Sequence, residues 1–471
     1  MIPLQPLKHF FYISCIALLS SCQIPDKPST ETFIDIPSTW KASNRPQTSS
    51  TRISQGWLRD FNDAKLTKLV NEAMNKNPSL LASAERLKAS QTNVINSRSD
   101  LLPSINGSGS GNRSRTNEDA AGGDGPTSSG TKSIGVSASW EIDLWKRLRD
   151  LNNASTADYE AATADFRATR LALAAGTASA WYNLISAVNQ VTLAEDTLSS
   201  YHKVKKIIER NYKAGTLRAI DLQLSKNNVF NAERNLRIRL EDRDNAKRNL
   251  EIILGRYPSS SIPAPGTLPT IRPHVATGIP ADMISRRPDM VQAKKELEAS
   301  FHRALAAKKD ILPSLALTGS ASTSSPNYSD LLDIGFLTTS IAASISQTIF
   351  DAGVKRAEAE AAVTRNKAEI HDYAGVALNA FSEVESALAS EKWLNEQEVY
   401  LRKELEQAAL AESQSERDYA EGVDGIDIID LLETQRRASN ARSSLIDLQN
   451  QRIQNRISLH LALGGDYKTR P

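Results

Sequence analysis

The chain has 471 residues, and 57 Lys and Arg against 55 Asp and Glu leave a formal net charge of only +2. That balance excludes the strongly basic surface of a nucleic-acid-binding protein, and 6% aromatic with 40% apolar residues is lean for a thick globular core. No run reaches the roughly 18 consecutive apolar residues of a membrane-spanning helix.

Lys8 precedes a short apolar run, Phe10 to Leu19, which leads into Leu19-Ser20-Ser21-Cys22. Small residues before a cysteine resemble a bacterial lipoprotein signal, in which residues 1–21 are removed and Cys22 becomes the lipidated first residue. Simple signal peptides also end in small residues. Cys15 falls inside the removed run, so no disulfide could form within one mature chain. Acyl chains, palmitate among them, would anchor Cys22 to a bilayer without spanning it. By the sorting habit of such lipoproteins, Gln23 after the cysteine points to the outer membrane. Residues 22–56 read as a tether, rich in Pro, Ser and Thr.

From there the chain contains itself twice. Asn77-Pro78 through Leu102-Pro103-Ser104 matches Arg287-Pro288 through Leu312-Pro313-Ser314, displaced by 210. Tyr212-x-x-Gly215 matches Tyr419-x-x-Gly422 at 207, and Leu254-Gly255 matches Leu463-Gly464 at 209. The repeats are set at 57–257 and 281–464, joined by a Pro/Ser/Thr-rich linker at 258–280 and followed by a tail at 465–471. Each is expected to run helix, strand pair, long helical hairpin: strands within 104–141 and 314–350, hairpins over 145–254 and 351–463.

Pro103 and Pro313 stop the first helices, because proline cannot continue them. Ile134, Val136, Ala138, Trp140 and Ile142 then alternate with Ser133, Gly135, Ser137, Ser139 and Glu141. Leu337, Ile341, Ala343, Ile345 and Ile349 alternate in weaker form with Thr338, Ser340, Ser344, Ser346 and Thr348 in the second half. Period-two alternation with a small-polar face fits a membrane-barrel strand, and it equally fits a soluble half-buried one. The partner strands are expected at 104–110 and 314–323, with a long loop at 111–130. The segments 145–213 and 351–420 contain no proline and would each reach about 100 Å as continuous helices.

The second hairpin turns at Tyr419-Ala420-Glu421-Gly422-Val423-Asp424-Gly425-Ile426-Asp427-Ile428-Ile429-Asp430-Leu431-Leu432-Glu433. Its glycines supply positive φ for the turn. Its acids favour a helix N-terminus, yet four spaced by three exceed what capping requires. The six histidines show no short metal-ligand spacing, no catalytic constellation stands out, and helix acids such as Glu383 and Glu385 read as solvated. No enzyme, cofactor or metal site is expected.

Four strands cannot close a barrel, and an open edge is not tolerated in lipid, so transmembrane strands would require several copies. The chain resembles the TolC/NodT-type outer-membrane factors, in particular the lipoprotein branch serving efflux pumps. The likeness rests on the lipobox, the internal repeat, the strand pairs after Leu-Pro-Ser, the Tyr-x-x-Gly tips and the Asp-x-x-acid motif beyond the second tip. It covers nearly the whole mature chain. The resemblance implies an α+β membrane protein: a homotrimer whose 12-stranded β-barrel, four strands per chain, continues into a periplasmic α-helical barrel. It implies a passive exit duct partnered by a periplasmic membrane-fusion adaptor and an inner-membrane transporter, most simply of the RND type. It also implies an acidic ring at the periplasmic aperture, here Asp430 with Glu433, Asp427 and, by the 209 offset, Asp221. Two extra residues after Gly422 depart from the commoner family spacing. Some members close the aperture through an arginine after the second tip's glycine. Here Asp424 stands there and the arginine lies in the first tip, which suggests a reversed Arg218–Asp424 link. A polypeptide-secretion duct and a non-channel coiled-coil tether are the alternative readings.

Overall fold

The computed structural model describes residues 37–42, 56–116, 127–271, 279–421 and 427–465. Cys22, Gly422 and Asp424 lie outside them. The described chain forms two compact units, and neither coincides with a sequence repeat. One holds residues 86–163 and 292–374; the other holds 37–85, 164–291 and 375–465. Each repeat therefore contributes to both.

In the first unit four antiparallel strands form one sheet in the order β1 (Ser104–Thr116), β2 (Thr127–Ile142), β3 (Ser314–Ser325) and β4 (Leu337–Ser346). β1 and β2 run further than expected, into residues 111–116 and 127–130. Asn112 pairs with Thr131 and Arg113 with Gly130, and the hydroxyls of Ser114 and Ser129 meet at 2.9 Å. Turn-type composition there hides a ladder, because Gly and Ser give little strand signal. β4 stops at Ser346, leaving Ile349 and Phe350 beyond it. Two 3-10 turns, Tyr328–Leu332 and Ile334–Phe336, fill the β3–β4 connection.

The register turns the alternation into two faces. Ile105, Ala138, Gly319 and Ile341 share one row, and Ile142, Leu315 and Ile345 another. On the opposite face Asn106, Ser137, Ser320 and Ser340 share a row. Cross-strand hydroxyl bonds of 2.8 Å join Ser104 to Ser139, Ser110 to Ser133 and Ser320 to Ser340. The apolar face is uncovered within the chain: Ile105, Ile341 and Ile345 are at least 74% exposed.

The helices are α1 (Ala64–Lys76), α2 (Pro78–Ser99), α3 (Arg147–Lys213), α4 (Ala219–Ile253), α5 (Pro280–Arg286), α6 (Pro288–Lys309), α7 (Val354–Glu421) and α8 (Ile428–Ala462). Pro78 and Pro288 open α2 and α6, where a missing N–H costs nothing. Gly176 and Gly375 sit inside α3 and α7 without breaking them. A stretch of α3 is apolar enough on average to cross a bilayer. Its Ala178, Trp181, Tyr182, Leu184 and Ile185 instead pack in the core of the second unit, against Trp57, Phe61, Leu66, Val70, Leu250 and Ile457. Asp63 serves that core twice: it caps α1 through the amides of Lys65 and Leu66, and it accepts the Trp181 indole N–H at 2.7 Å.

Equivalent joints hold both repeats together. Asn77, before Pro78, donates its side-chain amide to the Ile253 carbonyl at 2.9 Å. Arg287, before Pro288, donates to the Ala462 carbonyl at 2.9 Å. The carbonyls they reach end α4 and α8, and each of those helices is terminated by a left-handed glycine, Gly255 (φ 69°) or Gly464 (φ 67°). These are the αL residues that satisfy final helix carbonyls.

Candidate functional site

The two hairpin tips are built from the same parts. In the first, Gly215 takes φ 80°, while Gly215 N–H donates to Tyr212 and Thr216 N–H to Asn211. That closes α3 with a left-handed glycine cap. In the second, Tyr419 lies in the last turn of α7, and the turn glycine Gly422 lies outside the described residues. Helices α4 and α8 then start alike. Asp221 accepts the Arg218 amide at 3.1 Å, and Asp430 accepts the Asp427 amide at 3.2 Å. The pairs 218/427 and 221/430 hold the 209 offset. In the second tip the box is complete, because the Asp427 carboxylate also caps the amides of Ile429 (2.7 Å) and Asp430 (3.1 Å).

The four acids expected at an aperture separate into distinct environments. Asp221 is 3% exposed and paired with the Arg218 guanidinium at 3.1 Å. Glu433 is held by Arg436 and Arg437, each at 2.7 Å. Those hydrogen bonds, from Arg437 and then Arg436, keep its carboxyl below the usual carboxylate range. Asp430 is exposed and has no cationic partner among the described residues. Asp427 is exposed, and its charge acts on Arg218 across the two tips. Within its own chain Arg218 is thus paired with Asp221.

The tip tyrosines differ in the same way. Tyr419 packs on a small cluster of Val204, Ile208, Leu222, Ile428 and Leu431. Burial, then the charges of Asp221 and Asp427, push its hydroxyl above its ordinary pKa. Its repeat counterpart Tyr212 is 40% exposed. Above the tips, α3, α4 and α8 enclose a polar groove of about 510 Å³ whose lining includes Asn228, Asn231, Asn235, Asn440, Glu433 and Arg436.

Several anchoring residues were not foreseen. Glu383 and Glu385 are not simply solvated: Glu383 pairs with Arg287 at 2.8 Å, and Glu385 accepts the amides of Lys41 and Ala42, each at 2.7 Å. Beside them Trp40, 2% exposed, tilts against Phe381 at 6.1 Å. His460 is fully buried, stacked on Trp57 at 5.7 Å, and its Nε2 lies 3.2 Å from Asp60. That distance is within ion-pair reach, but the alignment is not that of a hydrogen bond. Tryptophans at 40 and 57 in an otherwise polar N-terminal stretch were the available signal. The partners Phe381 of Trp40 and His460 of Trp57 stand hundreds of residues away. Among the described residues no group of three or more His, Cys, Asp or Glu is placed to hold a metal ion.

An open four-stranded sheet with one hydrocarbon face and one hydroxyl face, in a chain that also forms repeated helical hairpins with acidic tips, defines the class of trimeric outer-membrane channels. In that fold each chain supplies four strands of a common β-barrel continued by a helical barrel. The chain belongs to the outer membrane efflux protein family, whose profile matches residues 69–256 and 279–465. It is 30% identical over 414 residues to the outer membrane protein OprJ of Pseudomonas aeruginosa, covering 87% of this chain and 86% of OprJ. It is 27% identical over 416 residues to the cation efflux system protein CusC of Escherichia coli, covering 88% of each. Among solved structures, the open state of the MtrE outer membrane channel of Neisseria gonorrhoeae superposes with a TM-score of 0.81 at 26% identity. That match covers 95% of this chain and 98% of MtrE. The protein is thus the outer-membrane channel of an efflux system, and members of its family are channels rather than enzymes.

Proposed function

We propose that this channel is a passive exit duct for small molecules, with no catalysis of its own. Cargo would arrive through a periplasmic adaptor from an inner-membrane transporter, most simply of the RND type. The observation that carries the duct is the sheet's pair of open edges. Among the described residues β1 and β4 each have one neighbouring strand, and unpaired backbone in hydrocarbon costs several kcal/mol per group. Three copies joined edge to edge make twelve strands and remove every edge. The apolar rows then face lipid and the hydroxyl rows face the lumen. Apart from Glu141, tied to Arg147 at 2.7 Å, the hydroxyl face of the four strands carries no charge among the described side chains. Such a wall would discriminate little among cargoes, which leaves charge selection to the helical tips.

At the tips Asp430 would supply the main aperture charge, with Asp427 beside it. Glu433 and Asp221 would contribute less, because arginines neutralise them locally. Arg218, which pairs with Asp221 and feels the charge of Asp427 in its own chain, would be the cation whose exchange of partners, Asp424 included, opens the mouth. Cys22 would carry the acyl chains that add an outer-membrane anchor.

Planar-bilayer recording of the purified protein tests the duct directly, with discrete ion-conducting steps as the expected result. A protein that inserts without conducting would leave only a tether. Arg218→Glu should raise conductance if the arginine helps hold the mouth closed; an unchanged conductance removes that role. Metabolic labelling with palmitate should mark the parent chain and not Cys22→Ala, and label on both would reject Cys22 as the acylation site. Crosslinked co-purification of an adaptor and an RND transporter tests the partners, and recovery of a secretion transporter instead would shift the cargo to polypeptide.

A further inference from the structure

The apolar face of the sheet ends in cations. From Ile142 to Ile134 on β2 the outward residues are apolar over eight positions, about 26 Å of strand at ~3.3 Å per residue. With barrel tilt that approaches the ~25 Å hydrocarbon band of an outer-membrane barrel. The next residue outward on this face is Lys132, and by register the following rows carry Arg113 and then Arg115. All three lie at the end of the sheet remote from the helices. Both arginines are exposed and have no anionic partner among the described residues. Lys132 donates to the Pro326 carbonyl at 2.7 Å and lies 3.8 Å over the exposed Tyr328 ring. The nearby carboxylate, Asp330, is occupied by Ser325, Ser329 and Asn327.

Cations at this height face the boundary between acyl chains and head groups. A guanidinium there needs a counter-charge or water. Two arginines at i and i+2 on one strand face stand about 6.6 Å apart, and each fork matches a phosphate bidentately. Among the described side chains the opposite, hydroxyl face of these strands carries no cation, and its one carboxylate, Glu141, lies at the other end of the sheet paired with Arg147, so these cations are placed for something outside the barrel. We propose that Arg113 and Arg115, with Lys132 one row inward, bind the phosphate groups of anionic glycolipid head groups in the outer leaflet. Tyr328 supplies an amphipathic ring at the same level, where aromatics sit at membrane interfaces. Closure of the barrel repeats the site around its rim. The proposal rests on the sheet being a barrel wall.

The test reconstitutes the full-length channel into phosphatidylcholine vesicles containing a bisphosphorylated glucosamine glycolipid. Native mass spectrometry after mild extraction counts the glycolipid retained. Arg113→Gln/Arg115→Gln is expected to bind it about thirtyfold more weakly, at about fivefold per surface cation, with pore conductance unchanged. Arg113→Lys/Arg115→Lys should keep most of the binding, which separates lost charge from lost folding. Equal retention by the Gln variant, equal retention of the dephosphorylated glycolipid, or displacement by inorganic phosphate would each overturn the proposal. If the parent protein forms no pores, the barrel reading fails instead, and the two failures are told apart.

Discussion

At the residue scale, acids that look alike in sequence sit in different environments. Asp430 is exposed and without a cationic partner among the described residues, whereas Glu433 carries two arginines. Acid rings select cations through the field they focus in a narrow pore. Asp430→Asn should therefore give a severalfold drop in cation-over-anion permeability, read from the reversal potential in a salt gradient, and Glu433→Gln a smaller one. Equal effects would mean that the arginines do not neutralise Glu433 in the assembled mouth. Glu251 has a structural role at the start of the inter-repeat segment. Burial opposes its ionisation, and amides donated by Ser260, Ser261 and Ile262 outweigh that penalty, so its carboxyl stays below the ordinary 4.5. A lowered native value means the stabilisation is complete above about 4.5 and is lost as pH falls through the native value. Glu251→Gln should cost about 1–3 kcal/mol in denaturation at neutral pH. The gap from the parent should close in acid, and a pH-independent gap would contradict this account.

At the element scale, the joints and the sheet faces carry the constraints. Gly255 and Gly464 are both left-handed. A Cβ at Gly255 would meet the Lys76 carbonyl oxygen at 2.6 Å, and one at Gly464 would meet Arg287 at 3.2 Å. Gly255→Ala should destabilise by more than the ~1–2 kcal/mol cost of the αL conformation alone, and Gly464→Ala by less than Gly255→Ala; thermal unfolding checks the order. On the sheet, Val136→Lys places a charge amid the lipid-facing rows and should cost about 2–4 kcal/mol, visible as loss of heat-resistant oligomer on gels. Ser137→Asp, one residue away on the hydroxyl face, should leave the oligomer intact and shift selectivity toward cations. Reversal of those two outcomes would invert the assignment of the faces. The faces were legible in the alternation of residues 133–142. The extent of β1 and β2 was not, because their outer ends are written in Gly, Ser and Asn.

At the scale of the whole molecule, what the single chain leaves open indicates assembly. Ile105, Ile341 and Ile345 lie bare on the sheet, and Phe230, Leu378, Trp393, Tyr400 and Ile429 are more than half exposed on the helices. Tyr419 packs on a cluster within the chain, whereas Tyr212 is 40% exposed. If a neighbouring protomer covers Tyr212, Tyr212→Ala should weaken the oligomer in detergent while leaving the secondary structure by circular dichroism unchanged; an unaffected oligomer would place that ring in solvent. The repeat, the long proline-free hairpins, the two-faced strands and the acidic second tip were all readable from the sequence. They are local patterns, expressed in periodicities and turn residues that act over a few positions. The arginines on Asp221 and Glu433 lie within four positions of them, whereas the hold of Glu385 on the backbone at Lys41 and Ala42 depends on residues brought together across hundreds of positions. The strand register likewise decides the rows of the sheet on which Arg113, Arg115 and Lys132 fall. Strand register and helix packing decide those contacts, and only the tertiary structure contains them.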